Sequence, residues 1–268
     1  MSIKLRNHLW GLFFLLAAGS FAQTDTSLKL VELPDPGGLT YNSINAFARD
    51  SLGYIWMGTD FGLHRFDGKN YRSFYHDRAD STTIPSNIIY YLHVDQAGRL
   101  IVGTADGIAV REKNQKGFLA ITVKNGYPME MDRHEITWLH EDRKGDIWIT
   151  TRVGGLGRLQ WPEGKIQHFS FPELHEDLAC IEEDPLCPGV FWIGGRRGLL
   201  RFELETGKRR VFDVEMEKSE KRLSQAGIAS MVFDGDSLIW MAAPRAGLLK
   251  YNRKTQHFKR IPLEEGWP

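Results

Sequence analysis

Asp50-Ser-Leu-Gly-Tyr-Ile-Trp-Met-Gly-Thr-Asp-Phe-Gly-Leu-His-Arg-Phe-Asp-Gly68 decides the fold, because the chain returns to its central pattern four more times. A short apolar run holds a large anchor, then a small-residue step, then Gly and an aliphatic residue. The later copies are Leu100-Ile-Val-Gly-Thr-Ala-Asp-Gly-Ile108, Ile147-Trp-Ile-Thr-Thr-Arg-Val-Gly-Gly-Leu156, Phe191-Trp-Ile-Gly-Gly-Arg-Arg-Gly-Leu199 and Ile239-Trp-Met-Ala-Ala-Pro-Arg-Ala-Gly-Leu248. With Trp56, Ile101, Trp148, Trp192 and Trp240 taken as equivalent, the spacings are 45, 47, 44 and 48 residues. Strand-like self-similarity with a period of roughly 40–50 residues predicts an all-β fold, a β-propeller of four-stranded antiparallel blades with five repeats visible.

Each copy divides into four strands by its alternation and its turn residues. In the first, Ser43 to Arg49, Tyr54 to Thr59, Leu63 to Asp67 and Tyr71 to Tyr75 are the expected strands, and the five blades are expected at about 39–80, 81–125, 126–172, 173–216 and 217–265. Asp50, Asp95, Asp142, Asp184 and Asp234 open the first turn of each copy, where Asp caps its own backbone, so this repeated carboxylate reads as turn chemistry. The tryptophans read as core, since an indole between two blades can bury on the order of 200 Å². Phe74, Phe118, Phe169, Phe212 and Phe258 read as one equivalent outer-strand aromatic.

The first 22 residues stand apart. Lys4 and Arg6 precede an apolar stretch from Leu9 to Ala18, and Ser20-Phe21-Ala22 ends in small residues, the pattern of a secretory signal peptide with 23–268 left as one domain. Lys plus Arg and Asp plus Glu number 34 each, so no overall field draws the protein to nucleic acid or an anionic bilayer. Cys180 and Cys187 are permitted a disulfide by an exported location, but one falls in a strand and the other in the next turn, which favours two small fillers.

Asp50 to Gly68 resembles the two-component regulator propeller repeat, and the resemblance extends over about residues 39–260, close in the first copy and weaker in the second and fifth, where Ile101 replaces Trp and Ala242-Ala243 replaces Gly-Thr. That resemblance implies the periplasmic sensor region of a hybrid two-component system, with a membrane helix, kinase and response regulator in a longer protein. It also implies a ring of more blades than five. An N-terminal portion of a sensor and a short protein with an open ring are both expectations here, and an unclosed stack leaves apolar blade faces free for self-association, possible as a homodimer.

Loops after the second strand and loops between blades are expected on one face. They place Tyr41, Asn42, Asp60, Asn87, Asp106, Arg133, His134, Arg152, Arg196, Arg197 and Arg245 as candidate ligand-binding residues. Guanidinium forks suit an acidic or sulfated oligosaccharide as partner, while solvated loop charges paired with nearby carboxylates are the plainer account. No zinc-binding His-Glu-x-x-His, no Gly-x-Ser-x-Gly and no phosphate loop is present, so neither a metal, a cofactor nor a catalytic residue is expected. A secreted propeller lyase or hydrolase acting on a polysaccharide or lactone is the alternative, because such enzymes draw residues singly from several blades.

Overall fold

The computed structural model describes residues 43–122, 126–132, 135–212 and 226–261. The proposed signal peptide and Tyr41, Asn42, Arg133 and His134 lie outside the described residues. The described residues all belong to one compact unit.

Local alternation and turns build five antiparallel sheets of four strands, each a simple meander. The first holds β1 (Ala46–Arg49), β2 (Ile55–Thr59), β3 (Gly62–Phe66) and β4 (Tyr71–Phe74). The second holds β5 (Ile89–Val94), β6 (Leu100–Thr104), β7 (Gly107–Arg111) and β8 (Leu119–Ile121). The third holds β9 (Ile136–Glu141), β10 (Ile147–Thr151), β11 (Leu156–Gln160) and β12 (Lys165–Phe169). The fourth is β13 (Leu178–Glu183), β14 (Val190–Gly195), β15 (Gly198–Glu203) and β16 (Arg209–Phe212), and the fifth β17 (Ser230–Asp234), β18 (Leu238–Ala243), β19 (Gly247–Asn252) and β20 (His257–Ile261). The leading strands β1, β5, β9, β13 and β17 contact one another in that order, so the sheets stack as propeller blades.

Side-chain alternation gives every blade two faces, and the register shows which residues share one. Trp56, Arg65 and Arg72 are cross-strand partners on one face of the first blade; Trp192, Arg201 and Arg210 repeat this in the fourth. This tryptophan face of each blade meets the opposite face of the next. Trp56 and Leu63 pack with Leu92, Leu100, Val102 and Phe118 of the second blade. Ile101 and Val110 pack with Leu139, Ile147 and Leu159 of the third. Trp148 and Leu156 meet Ile181, Phe191 and Phe202 of the fourth, and Trp192 meets Met231, Ile239 and Tyr251 of the fifth. Each interface is thus a separate hydrophobic cluster shared by two neighbours.

The repeated Asp does more than turn the chain. Asp142 Oδ1 accepts the backbone N–H groups of Lys144 and Asp146 at 2.9 and 3.0 Å, and its Oδ2 accepts Trp148 Nε1–H at 2.8 Å. The same carboxylate-to-indole bond recurs at 2.8 Å for Asp50 and Trp56, 3.0 Å for Asp184 and Trp192, and 3.0 Å for Asp234 and Trp240. A buried indole N–H must find an acceptor, and the turn supplies it. In the second blade, where Ile101 replaces the indole, Arg99 donates its backbone N–H and Nε–H to Asp95, and its guanidinium lies 4.8 Å from the Trp161 ring. A charged donor therefore fills the place of the missing indole N–H.

The outer aromatics are not one equivalent set. Phe74, Phe169 and Phe212 lie opposite Leu63, Leu156 and Leu199 on the tryptophan face. In the second and fifth blades that register position is held by Ile121 and Ile261, while Phe258 pairs with Tyr251 on the other face and Phe118 packs back onto Phe74 at 5.6 Å. One residue of offset exchanges the faces, because strand side chains alternate. Third strands open as expected on a left-handed glycine: at Gly107, φ is 118°, and a Cβ would stand 2.3 Å from the Ile121 carbonyl oxygen.

At the ends of the stack, Phe47 on β1 is 78% exposed and Val232 on β17 is 60% exposed, while Trp240 is half-buried where its counterparts Trp148 and Trp192 are buried. Cys180 is buried in β13 and Cys187 sits in the following turn, both as free thiols.

Candidate functional site

The turn between second and third strands is tied to the chain entering a leading strand. Gly62 N–H bonds to Asn87 O at 2.8 Å, Ala105 N–H to Ile88 O at 3.1 Å, Arg152 N–H to Glu135 O at 2.9 Å, and Arg196 N–H to Asp177 O at 3.1 Å. These backbone bonds place both kinds of loop on one face of the stack.

On that face the charges of three blades act on Tyr90. Burial raises the pKa of its hydroxyl, and the charges of Glu135, Asp60 and Asp106 raise it further. Asp60 is oriented by Asn45, whose Nδ2 donates to Asp60 Oδ1 at 2.7 Å and to Ile89 O at 3.0 Å, linking the first two blades. Glu135 accepts a two-pronged contact from Arg152, Nε at 2.7 Å and Nη2 at 3.2 Å, and this bond raises the Arg152 pKa. Arg152 also stands in an antiparallel bridge with Asp177, whose carboxylate lies 4.0 Å from Arg196.

The candidates separate accordingly. Asp60, Asp106, Arg152 and Arg196 join one charged rim, and Arg197 is exposed beside it. Asn87 spends its side-chain oxygen on His76 N–H at 2.7 Å, which shapes the long loop after β4. Arg245 enters the face through its backbone N–H, 3.4 Å from Ala226 O. Sequence reading missed Tyr90, Glu135 and Asp177. Glu135 and Asp177 were signalled only as an acidic residue just ahead of a leading strand, Tyr90 lies within β5 and carried no signal of its own, and bringing them to one face depends on how blades stack.

A second polar set lies along the leading strands. His93, His140 and Glu182 occupy the same register position, opposite Ile101, Trp148 and Trp192. His140 Nδ1 is 3.5 Å from Glu182 Oε2, its Nε2 accepts Glu183 N–H at 3.2 Å, and His93 Nε2 is 3.7 Å from Glu141. Tyr91 and Trp138 pack beside them, ring centroids 5.5 Å apart. Burial holds His140 down at about 4 and pushes the Glu182 carboxyl up to about 7. The Glu183 bond agrees with a neutral imidazole, since a protonated Nε2 could not accept it. Among the described residues no three His, Cys, Asp or Glu side chains form a group able to hold a metal ion.

These two shifts predict opposed pH effects. Glu182 binds a proton in the folded protein that the unfolded chain releases between about 4.5 and 7, so its contribution is full below 4.5 and is lost as pH rises through 7. The folded His140 stays neutral where the unfolded imidazole charges, so its contribution is full above 6.5 and is lost as pH falls through 4. Glu182→Gln should therefore leave a protein that weakens on acidification across the histidine window. His140→Gln should leave one that weakens as pH rises across the glutamate window. Urea midpoints measured at several pH values check both, and parallel profiles for the two variants would contradict them.

Residues 38–61 match the two component regulator propeller. The first blade thus carries that family's repeat, and its matched part within the described residues runs through β1 and β2. The stack is similar to the extracellular domain of a hybrid two component system from B. thetaiotaomicron, with 18% identity, a TM-score of 0.57, and coverage of 88% of this chain and 37% of that one. This chain therefore spans just over a third of that extracellular domain. Virginiamycin B lyase from Staphylococcus aureus is similar at 14% identity and a TM-score of 0.62, covering 83% of this chain and 71% of the lyase. At such identities the likeness is one of fold. No curated protein matches the chain by sequence.

Proposed function

We propose that this propeller is an exported, periplasmic ligand-recognition module of a two-component sensor, and that its loop face takes an oligosaccharide. The observation that carries the reading is the charged rim on the loop face, where Asn45 holds Asp60, Arg152 holds Glu135, and the charges of Asp60, Asp106 and Glu135 from three successive blades all act on the Tyr90 hydroxyl. Carboxylates accept from the hydroxyls that a sugar presents, and a phenol ring offers an amphipathic flank. Arg152 and Arg196 extend the site toward acidic or sulfated sugars. Their contacts with Glu135 and Asp177 are exposed pairs, worth about 0–1 kcal/mol each, so an incoming anion can displace them. Export is supported by the signal-like residues 1–22, and the sensing role by the propeller repeat and the likeness to a sensor's extracellular domain. Occupancy would be passed on as a shift in blade packing that other domains of a longer protein read.

Glycan-array screening followed by calorimetry tests this. Asp60→Asn with Asp106→Asn is expected to weaken the bound glycan by tenfold or more, on the scale of charge-assisted hydrogen bonds. Replacing Arg152, Arg196 and Arg245 together by Gln should weaken acidic glycans and leave neutral ones unchanged. Absence of any glycan binding, or affinities unmoved by both sets, would remove the reading.

A further inference from the structure

Away from the loop face, a cleft of about 290 Å³ opens between the fourth and fifth blades. Its walls come from the tryptophan face of the fourth blade, with Trp192, Arg201 and Arg210, and from Tyr251, Arg253 and Lys254 of the fifth. Two of its cations are already neutralised: Arg201 is bonded to Glu203, and Arg253 to Asp184 and to the Asp236 carbonyl. The other two have no carboxylate partner among the described residues. The Arg210 guanidinium carbon lies 4.8 Å from the Phe212 ring centroid and the group donates to the neutral Gln256 Oε1 at 3.0 Å, while Lys254 Nζ stands in the same lining.

Tyr251 supplies an independent sign. It lines the cleft, its ring stacks on Phe258 at 4.3 Å, and its hydroxyl makes no hydrogen bond to another described residue. A phenol hydroxyl that lines a cleft can donate to an acceptor that enters it. Arg201, Arg210 and Arg253 line the cleft with it, and their charges act to lower the pKa of this hydroxyl against the burial that raises it. A donor hydroxyl beside surplus positive charge suits an oxygen anion, and the carboxylate of Asp236 at the rim sets the limit on how much negative charge fits.

We infer that this interblade cleft is a binding site for the oxyanion group of a small ligand, a carboxylate, sulfate or phosphate, held by the Arg210 guanidinium, Lys254 Nζ and the Tyr251 hydroxyl. The volume, near the lower end of the roughly 300–1,000 Å³ of small-molecule sites, admits a small organic anion as well as an inorganic one. The site is independent of the loop face and does not rest on its reading.

Titration of the purified protein by calorimetry with sodium sulfate, sodium phosphate and sodium acetate, at constant ionic strength made up with chloride, tests it. Saturable binding in the low-millimolar range or tighter is expected for at least one anion, and the preferred anion tells the tetrahedral source from the carboxylate one. Tyr251→Phe keeps the ring and should weaken binding about two- to tenfold, the range of one hydrogen bond. Arg210→Met, at an exposed position, should weaken it at least tenfold. Crystals soaked in selenate should show an anomalous peak between Arg210 and Tyr251. Failure of all three anions to saturate, or equal affinity in both variants with circular dichroism unchanged, would overturn the assignment.

Discussion

Trp148→Ala is expected to lower the unfolding free energy by about 3–5 kcal/mol, the range for removing a large aromatic from a packed core. Trp148 is fully buried, its ring is 4.3 Å from Phe191 of the next blade and 5.6 Å from Phe169 of its own, and its N–H is committed to Asp142. The truncation opens a void between two blades that are held apart by their own hydrogen-bonded sheets, so little collapse can relieve it. Trp240→Ala is the internal comparison. It has the same sequence surroundings, but its ring lies half-buried on a face with no following described blade, and its removal should cost less than half as much. Urea denaturation followed by circular dichroism measures both. Equal losses would mean that the indoles act within their own blade and not between blades.

Asp142→Ala is expected to cost about 2–4 kcal/mol, since two turn N–H groups and one indole N–H lose a charged acceptor at a buried site. Asp142 is only 3% exposed, which leaves water little access to the orphaned donors. Asp142→Asn separates the parts of this effect. The amide oxygen can still accept the Lys144 and Asp146 N–H groups, but its NH₂ then faces the Trp148 N–H, donor against donor. Asn should therefore recover the turn and not the indole bond, giving a loss between wild type and Ala. A variant as stable as wild type would show that the carboxylate serves the turn alone.

That distinction marks how far the residues themselves could be read. The period, the four strands of each copy, the turns and the anchor positions follow from local alternation and from Asp and Gly chemistry, and the first copy alone shows them all. The bond from turn to indole was also written in the chain, as an Asp six residues before Trp56, Trp148 and Trp240, and eight before Trp192, where the turn is longer. It escapes a local reading because a satisfied turn explains the Asp by itself. Phe118 and Phe258 escape for another reason: counting along the chain gives an outer aromatic, whereas its face depends on hydrogen-bond register, which an offset of one residue reverses. The loop face divides in the same way. Asp60, Asp106, Arg152 and Arg196 follow from their place in the repeat, but Tyr90 is an ordinary half-buried strand residue until stacking brings the charges of three blades to bear on its hydroxyl.

Because the buried core of each cluster is drawn mainly from two adjacent blades, stability propagates along the stack chiefly as a chain of nearest-neighbour couplings, with Trp138 of the third blade also touching the cluster of the fourth and fifth. The middle sheet is clamped from both sides and the fifth from one. Amide exchange should thus grade along the molecule, slowest in β9 and β10 and fastest in β17 to β20, with opening that begins at a terminus and advances one blade at a time. Any partner that settles on the Val232 and Trp240 surface would then act as a stopper on that zipper, stiffening distant strands without touching them.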